Sequence, residues 1–155
     1  MATVVYYLDS SAAVKRYVNE TGTPRIQSIC ADPDNVLALA QIGLVEIAAG
    51  LASKYRQGLL RTDLYDDLLL NLLRDARDQY LLVDVDQVIV DQAFQITRRR
   101  RLRGYDAVHL ACALFLNKTL TEQGLPALTL LSADQDLLAA ALEEGLAASD
   151  PSSSS

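Results

Sequence analysis

The chain contains no apolar stretch long enough to cross a bilayer. Its most apolar run, Ala107 to Leu116, spans ten residues and contains His109, whereas a spanning helix needs about 20. Met1 to Leu8 carries no basic flank of the kind that opens a signal peptide, so neither secretion nor membrane insertion is expected. Cysteine is scarce: Cys30 and Cys112 stand in unrelated contexts, with no Cys or His at ligand spacing. That argues against a zinc site and a disulfide scaffold and points to a reducing cytoplasm. Positive charge is also in deficit, with a formal net charge of −6 and a pI of about 4.6, so the protein does not hold nucleic acid simply by being basic. Lysine occurs only at Lys15, Lys54 and Lys118, while Arg98, Arg99, Arg100, Arg101 and Arg103 crowd into one stretch. Any nucleic-acid role is therefore local.

What is present is 155 residues, 50% of them apolar and 22% charged, a balance that suits one globular domain. The expected division is a single domain over residues 1–148 and a flexible Ser-rich tail over 149–155. Thr3 to Leu8 is an unbroken β-rich run, as in a strand buried on both faces. A short helix follows from Ser10 or Ser11, before Gly22 and Pro24 interrupt the chain. Val36 to Ala40 reads as a strand leading into a helix over Gln41 to Gln57. Arg61 to Tyr80 is amphipathic, with Tyr65, Leu69, Leu72 and Ala76 on one face.

Leu81 to Val85 is a strand or a short extended link. Ile89, Ala93 and Ile96 mark a further helix, whose arginines at the C-terminal end suit the helix dipole. Tyr105 to Thr119 is apolar nearly all round and predicts a central buried helix. Ala127 to Leu131 is a short strand, and Asp134 to Glu144 a helix closed by Gly145. From Asp150 the chain is expected to be solvated. Strands alternating with helices indicate an α/β fold with a mostly parallel sheet, whose ligands sit at the carboxyl ends of the strands.

Four acids occupy such positions or apolar surroundings: Asp9 after the first strand, Glu46 inside an apolar helix, Asp106 at the start of the buried helix, and Asp134 just past the last strand. Around Glu46, Gly43, Ala49 and Gly50 leave the carboxylate uncrowded. If the four converge, their mutual repulsion calls for a hard divalent ion on oxygen ligands, Mg²⁺ or Mn²⁺. Taken singly, Asp106 and Asp134 read first as helix caps, and Ser132-Ala133-Asp134-Gln135 fits a capping box. Asp9 is a possible cap as well.

In order, Tyr7-Leu8-Asp9-Ser10-Ser11-Ala12, Leu44-Val45-Glu46-Ile47-Ala48-Ala49, Leu102-Arg103-Gly104-Tyr105-Asp106-Ala107-Val108-His109-Leu110-Ala111 and Leu131-Ser132-Ala133-Asp134 resemble the four acidic motifs of PIN-domain nucleases. The likeness is strongest to the VapC-type toxins of bacterial toxin–antitoxin pairs and runs from about Val4 to Leu146. The resemblance implies a three-layer α/β/α sandwich and Mg²⁺-dependent endoribonuclease activity. It implies too an antitoxin partner, a homodimer, and Asp9, Glu46, Asp106 and Asp134 as metal-binding and catalytic acids. Ser132 and Ser10 become hydroxyls that support the acids rather than bind metal. The density of arginines before the third motif departs from the family pattern and leaves RNA, antitoxin or solvent as their counterpart.

Lys15, Arg16 and Arg103 neighbour motif acids in sequence and are the candidates to hold flanking RNA phosphates. His109 reads as a hydrogen-bonded core residue ahead of a general base. Two other functions stay open. One is phosphoryl transfer through an aspartyl phosphate, against which Asp9 lacks a second acid two residues on and no lysine follows the last strand. The other is a catalytically silent module that binds protein or RNA.

Overall fold

The computed structural model describes residues 3–153. Five strands, β1 (Val4–Leu8), β2 (Asn35–Ala40), β3 (Tyr80–Val83), β4 (Thr129–Leu131) and β5 (Ala147–Ser149), form one parallel sheet in the order β3-β2-β1-β4-β5. β1 is central, with Tyr7 opposite Ala38 on one side and Leu130 on the other. The short helix α1 (Ser10–Ala13) continues as a 3₁₀ turn over Val14–Arg16. It packs on one face with α2 (Thr23–Ala31), α3 (Gln41–Arg56) and α4 (Thr62–Asp78), while α5 (Gln87–Arg99), α6 (Gly104–Glu122) and α7 (Gln135–Glu143) cover the other. The expected three-layer α/β/α sandwich is the fold observed.

Strand periodicity assigns the two cores. Leu37 and Leu39 of β2 point toward Ile26, Ile47, Leu51 and Leu72. Their neighbours Ala38 and Ala40 point toward Leu110, Ala111 and Cys112 of α6. Large side chains thus fill the α1–α4 side, and small ones on both β2 and α6 leave room for Tyr7 in the other core. α6 is buried along Ala107, His109, Leu110, Ala111, Cys112 and Ala113, as its apolar circumference predicts. Among the described residues no helix is long and apolar enough to cross a membrane.

Two local expectations change. Pro24 does not interrupt the chain but stands in the first turn of α2, where no backbone N–H is needed and its fixed φ suits the helix. Gly22 precedes that helix at φ +95°. A Cβ there would approach the backbone of Pro151 to 3.0 Å, so both conformation and contact demand glycine.

The second change concerns the C-terminal segment, expected to be solvated from Asp150 and flexible over 149–155. Ser149 belongs to β5 and pairs with Leu131, because the outer edge of β4 would otherwise leave backbone groups unpaired. The Arg25 guanidinium donates to Ser149 Oγ (3.0 Å) and to the Asp150 carbonyl (3.2 Å). Pro151 is buried, and the Ser152 hydroxyl donates to the Thr21 carbonyl (3.1 Å). The end of the expected tail, Ser154 and Ser155, lies outside the described residues.

Candidate active site

β1 ends at Leu8, and Asp9 turns the chain into α1 as its cap. One carboxylate oxygen, Oδ1, accepts the Ala12 N–H (2.9 Å) and the Ser11 hydroxyl (2.7 Å), and Oδ2 accepts the Ser132 hydroxyl (2.6 Å). Asp9 is only 3% exposed. Burial pushes its carboxyl above the usual value, and the bonds from Ser132, Ser11 and Ala12 offset this only in part. Ser132, directly after β4, also accepts the Asp134 N–H (2.9 Å), so one hydroxyl fixes two motif acids relative to each other. Ser11, not singled out from sequence, accepts the Ala133 N–H as well (3.0 Å). Its signal was available: a hydroxyl two residues after an aspartate at a strand-to-helix turn.

Glu46 projects from α3 into the same region. The Ser10 hydroxyl donates to Oε2 (3.1 Å), and His109 bonds Oε1 through Nε2 (2.7 Å). The other ring nitrogen, Nδ1, meets the Tyr7 hydroxyl at 2.9 Å. An ionised Glu46 requires the proton on Nε2, so in the neutral ring Nδ1 accepts from Tyr7. Burial pushes the Glu46 carboxyl up, but the His109 hydrogen bond, the charge of His109 when protonated and the Ser10 hydroxyl together hold it below its usual value. His109 is therefore a hydrogen-bonded core residue, as read from sequence, and also the partner of a motif acid.

Asp134 caps α7, accepting the Leu137 N–H (3.0 Å), which makes it the cap in place of Ser132 in the expected capping box. Asp106 does not cap. It lies in the first turn of α6, whose cap position is Arg103 and carries no side-chain cap bond. Arg103 instead reaches over both acids: Nε donates to Asp106 Oδ2 (3.2 Å) and Nη2 to Asp134 Oδ2 (3.1 Å). All four acids line one cavity of about 330 Å³, together with Ser10, Ser11 and Arg103.

Among the described residues, no three Asp, Glu, His or Cys side chains stand close enough, as placed, to hold one ion. The donor set nevertheless fits a hard divalent cation. Every acid on the cavity wall offers carboxylate oxygen, and a guanidinium already stands in for positive charge between Asp106 and Asp134.

The other basic candidates sit elsewhere. Lys15 is buried and pairs with Glu20 (3.3 Å). Arg16 bonds the Tyr80 hydroxyl (3.0 Å), Gln79 Oε1 (2.8 Å) and Asp75 (3.4 Å). The structure thus brings Arg103 to the acids, and Lys15 and Arg16 do not line that cavity. Within the arginine run, Arg99 donates to Glu144 (2.8 Å), and Arg100 pairs with Glu143 and Glu144, tying the end of α5 to the end of α7.

A family model for the PIN domain matches residues 6–143, an interval that includes all four acids. Ribonuclease VapC45 of Mycobacterium tuberculosis is 32% identical over 111 residues, 70% of this chain and 74% of its own. Among solved structures, PAE2754 from Pyrobaculum aerophilum superposes with a TM-score of 0.64 at 19% identity, covering 96% of this chain and 84% of that one. VapBC-5 from Mycobacterium tuberculosis, a member of the VapBC family of toxin–antitoxin systems, gives 0.56 at 18% identity over 95% and 97%. With a parallel sheet that gathers four ordered acids at its carboxyl edge and a relative of this identity, the chain belongs to the PIN domain family, among the VapC ribonucleases.

Proposed function

We propose that this protein is the endoribonuclease toxin of a toxin–antitoxin pair, hydrolysing phosphodiester bonds of structured RNA, tRNA or rRNA, at single-stranded sites. The observation that carries this reading is the convergence of Asp9, Glu46, Asp106 and Asp134, from four separate elements, on one cavity. These acids would hold Mg²⁺, with Mn²⁺ as a substitute. The ion would supply an activated water and neutralise charge building on the phosphoryl and leaving oxygens.

The chain's own residues supply position. Ser11, Ser132 and the Ala12 N–H hold Asp9, while Ser10 and His109 hold Glu46. Asp9 and Glu46 are thus oriented by the fold before the site fills. Attack by water rather than by a ribose 2′-hydroxyl leaves a 5′-phosphate and a 3′-hydroxyl. A cleft site needs an accessible, distortable backbone, which RNA offers at loops and not within regular helices.

The family membership supports a cytoplasmic protein, a homodimer and an antitoxin that covers the acidic cleft with an Arg or Lys. The placement of the acids, no three of which meet around one point, favours as second reading a catalytically silent module that binds protein or RNA. The deciding experiment is cleavage of total tRNA and ribosomal RNA by purified protein with Mg²⁺, Mn²⁺ or EDTA, comparing wild type with Asp9→Asn and Asp106→Asn. Discrete metal-dependent fragments bearing 5′-phosphates, absent from both variants, are expected. No cleavage by folded, antitoxin-free protein would favour the silent module, and cleavage surviving both substitutions would mean a misassigned site.

A further inference from the structure

A second cavity, of about 560 Å³, adjoins the acidic one and shares Arg103, Asp106 and Asp134 with it. Its remaining wall is formed by Thr97, Arg100, Arg101, Leu102 and Asp136, two guanidinium groups against one further carboxylate. Arg100 is committed to Glu143 and Glu144. Arg101 is exposed and makes no side-chain hydrogen bond or ion pair among the described residues. The side chain of Arg103 is 82% exposed and lies on the partition between the two cavities. Its only polar side-chain contacts among the described residues are Asp106 and Asp134. An exposed guanidinium pair of this kind is held weakly, and it can turn into the neighbouring cavity without breaking a buried contact. A divalent ion seeking oxygen ligands competes for the same two carboxylates with twice the charge and direct coordination.

We infer that Arg103 is an exchangeable internal cation: it occupies Asp106 and Asp134 until a divalent ion takes them, then turns to the neighbouring cavity. There, with Arg101, it grips a backbone phosphate beside the one to be cleaved. The inference rests on the metal site proposed above and gives the strand a side of entry. Metal and nucleic acid then load cooperatively, because each favours the same position of Arg103, and the coupling is reciprocal. The design also limits the repulsion between a bare acidic cleft and a phosphate chain, since the cation is already in place at the rim.

Two titrations on the full chain test this. Mn²⁺ binding without nucleic acid, followed by the paramagnetic resonance of the free ion, compares wild type, Arg103→Gln and Arg101→Gln. Arg103→Gln is expected to bind Mn²⁺ about three- to tenfold tighter, the worth of two exposed ion pairs. Arg101→Gln removes the same charge from the same cavity and should stay within about twofold of wild type. Anisotropy of a short fluorescent single-stranded oligodeoxynucleotide in Ca²⁺ then reads the phosphate grip. Both variants should bind more weakly, the log–log salt slope falling by about 0.7 per arginine, and the gain in affinity that Ca²⁺ gives wild type should be lost in Arg103→Gln.

Equal Mn²⁺ affinity in wild type and Arg103→Gln, or equal tightening in both variants, overturns the exchange while leaving the nuclease reading intact. Mn²⁺ binding by none of the three proteins overturns both. Oligonucleotide binding indifferent to Arg101→Gln overturns the phosphate grip.

Discussion

Asp9 and Glu46 line the same cavity as Asp106 and Asp134, yet the two pairs are held by different physics. Asp9 is satisfied by two hydroxyls and a backbone N–H, and Glu46 by a hydroxyl and an imidazole that is itself bonded to Tyr7. These partners belong to the packed fold, and His109 is 2% exposed. Across the cavity Asp106 and Asp134 share one exposed guanidinium. One pair is therefore placed by folding, with hydrogen bonds that salt does not screen. In the other, Asp134 is fixed on one oxygen by the Leu137 N–H, and its second oxygen and Asp106 depend on an ion pair that solution conditions can loosen. A site that must keep its geometry and still exchange its counter-charge needs contacts of both kinds.

The largest break in that comparison is Asp9→Ala. It leaves the Ser11 and Ser132 hydroxyls and the Ala12 N–H without an acceptor and removes a cap, so urea unfolding should show a loss of about 2–4 kcal/mol. Asp106→Ala should leave stability nearly unchanged, because its partner Arg103 is exposed and keeps Asp134. Equal losses in the two variants would erase the distinction between the pairs.

His109→Leu comes next. It keeps the core filled but strips partners from Tyr7 and Glu46, at a cost of about 1–3 kcal/mol. Mn²⁺ affinity in the surviving folded protein should fall about tenfold, because Glu46 loses its orienting bond. Unchanged Mn²⁺ affinity would show that Ser10 suffices.

Acid titration of the metal-free protein sharpens the contrast within the buried pair. Glu46 lies below its ordinary value of 4.5 in the fold, so the stability it adds is present above that value and is lost as pH falls through the lower folded one. Asp9 is raised above 3.8. Its protonated form favours the fold, and ionisation costs stability as pH rises from 3.8 through the folded value. The stability difference between wild type and Glu46→Gln should therefore vanish in acid, while wild type should gain on Asp9→Asn as pH falls. Unfolding curves across pH in the presence of chelator read both, and parallel trends would contradict the assigned directions.

The smallest effect is expected of Arg99→Ala. Its pair with Glu144 joins α5 to α7 near the surface, so the change should stay within about 1 kcal/mol and shrink in high salt.

Alternation of strands and helices made the parallel α/β class legible in the sequence, while the three layers and the choice of the four acids rested on the resemblance to PIN-domain motifs. What escaped depended on contacts distant along the chain. β5 is three residues, Ala147–Ser149, with little strand propensity of its own, and exists because β4 has an edge to cover. Within the arginine run, Arg99 and Arg100 found their partners in Glu143 and Glu144, more than 40 residues on, a pairing that spacing does not announce. Asp106 looked like a cap because it opens an apolar helix, but the helix begins earlier, at Gly104. Lys15 and Arg16 adjoin Asp9 in sequence, while the turn that follows α1 carries them toward Glu20 and Tyr80. Proximity along a helix does not decide which face a side chain takes.

The sheet order also dictates the order in which the cleft is assembled during synthesis. β1, made first, is flanked by β2 and by β4, which follows more than 120 residues later. Asp9 takes its Oδ2 bond from Ser132, and Asp134 follows two residues after that. A nascent chain short of this point has half a sheet, an uncovered β1 edge and three of the four acids. The cleft is thus complete only once the segment carrying β4, Ser132 and Asp134 has docked beside β1, and that strand then closes the sheet over a segment made long before it.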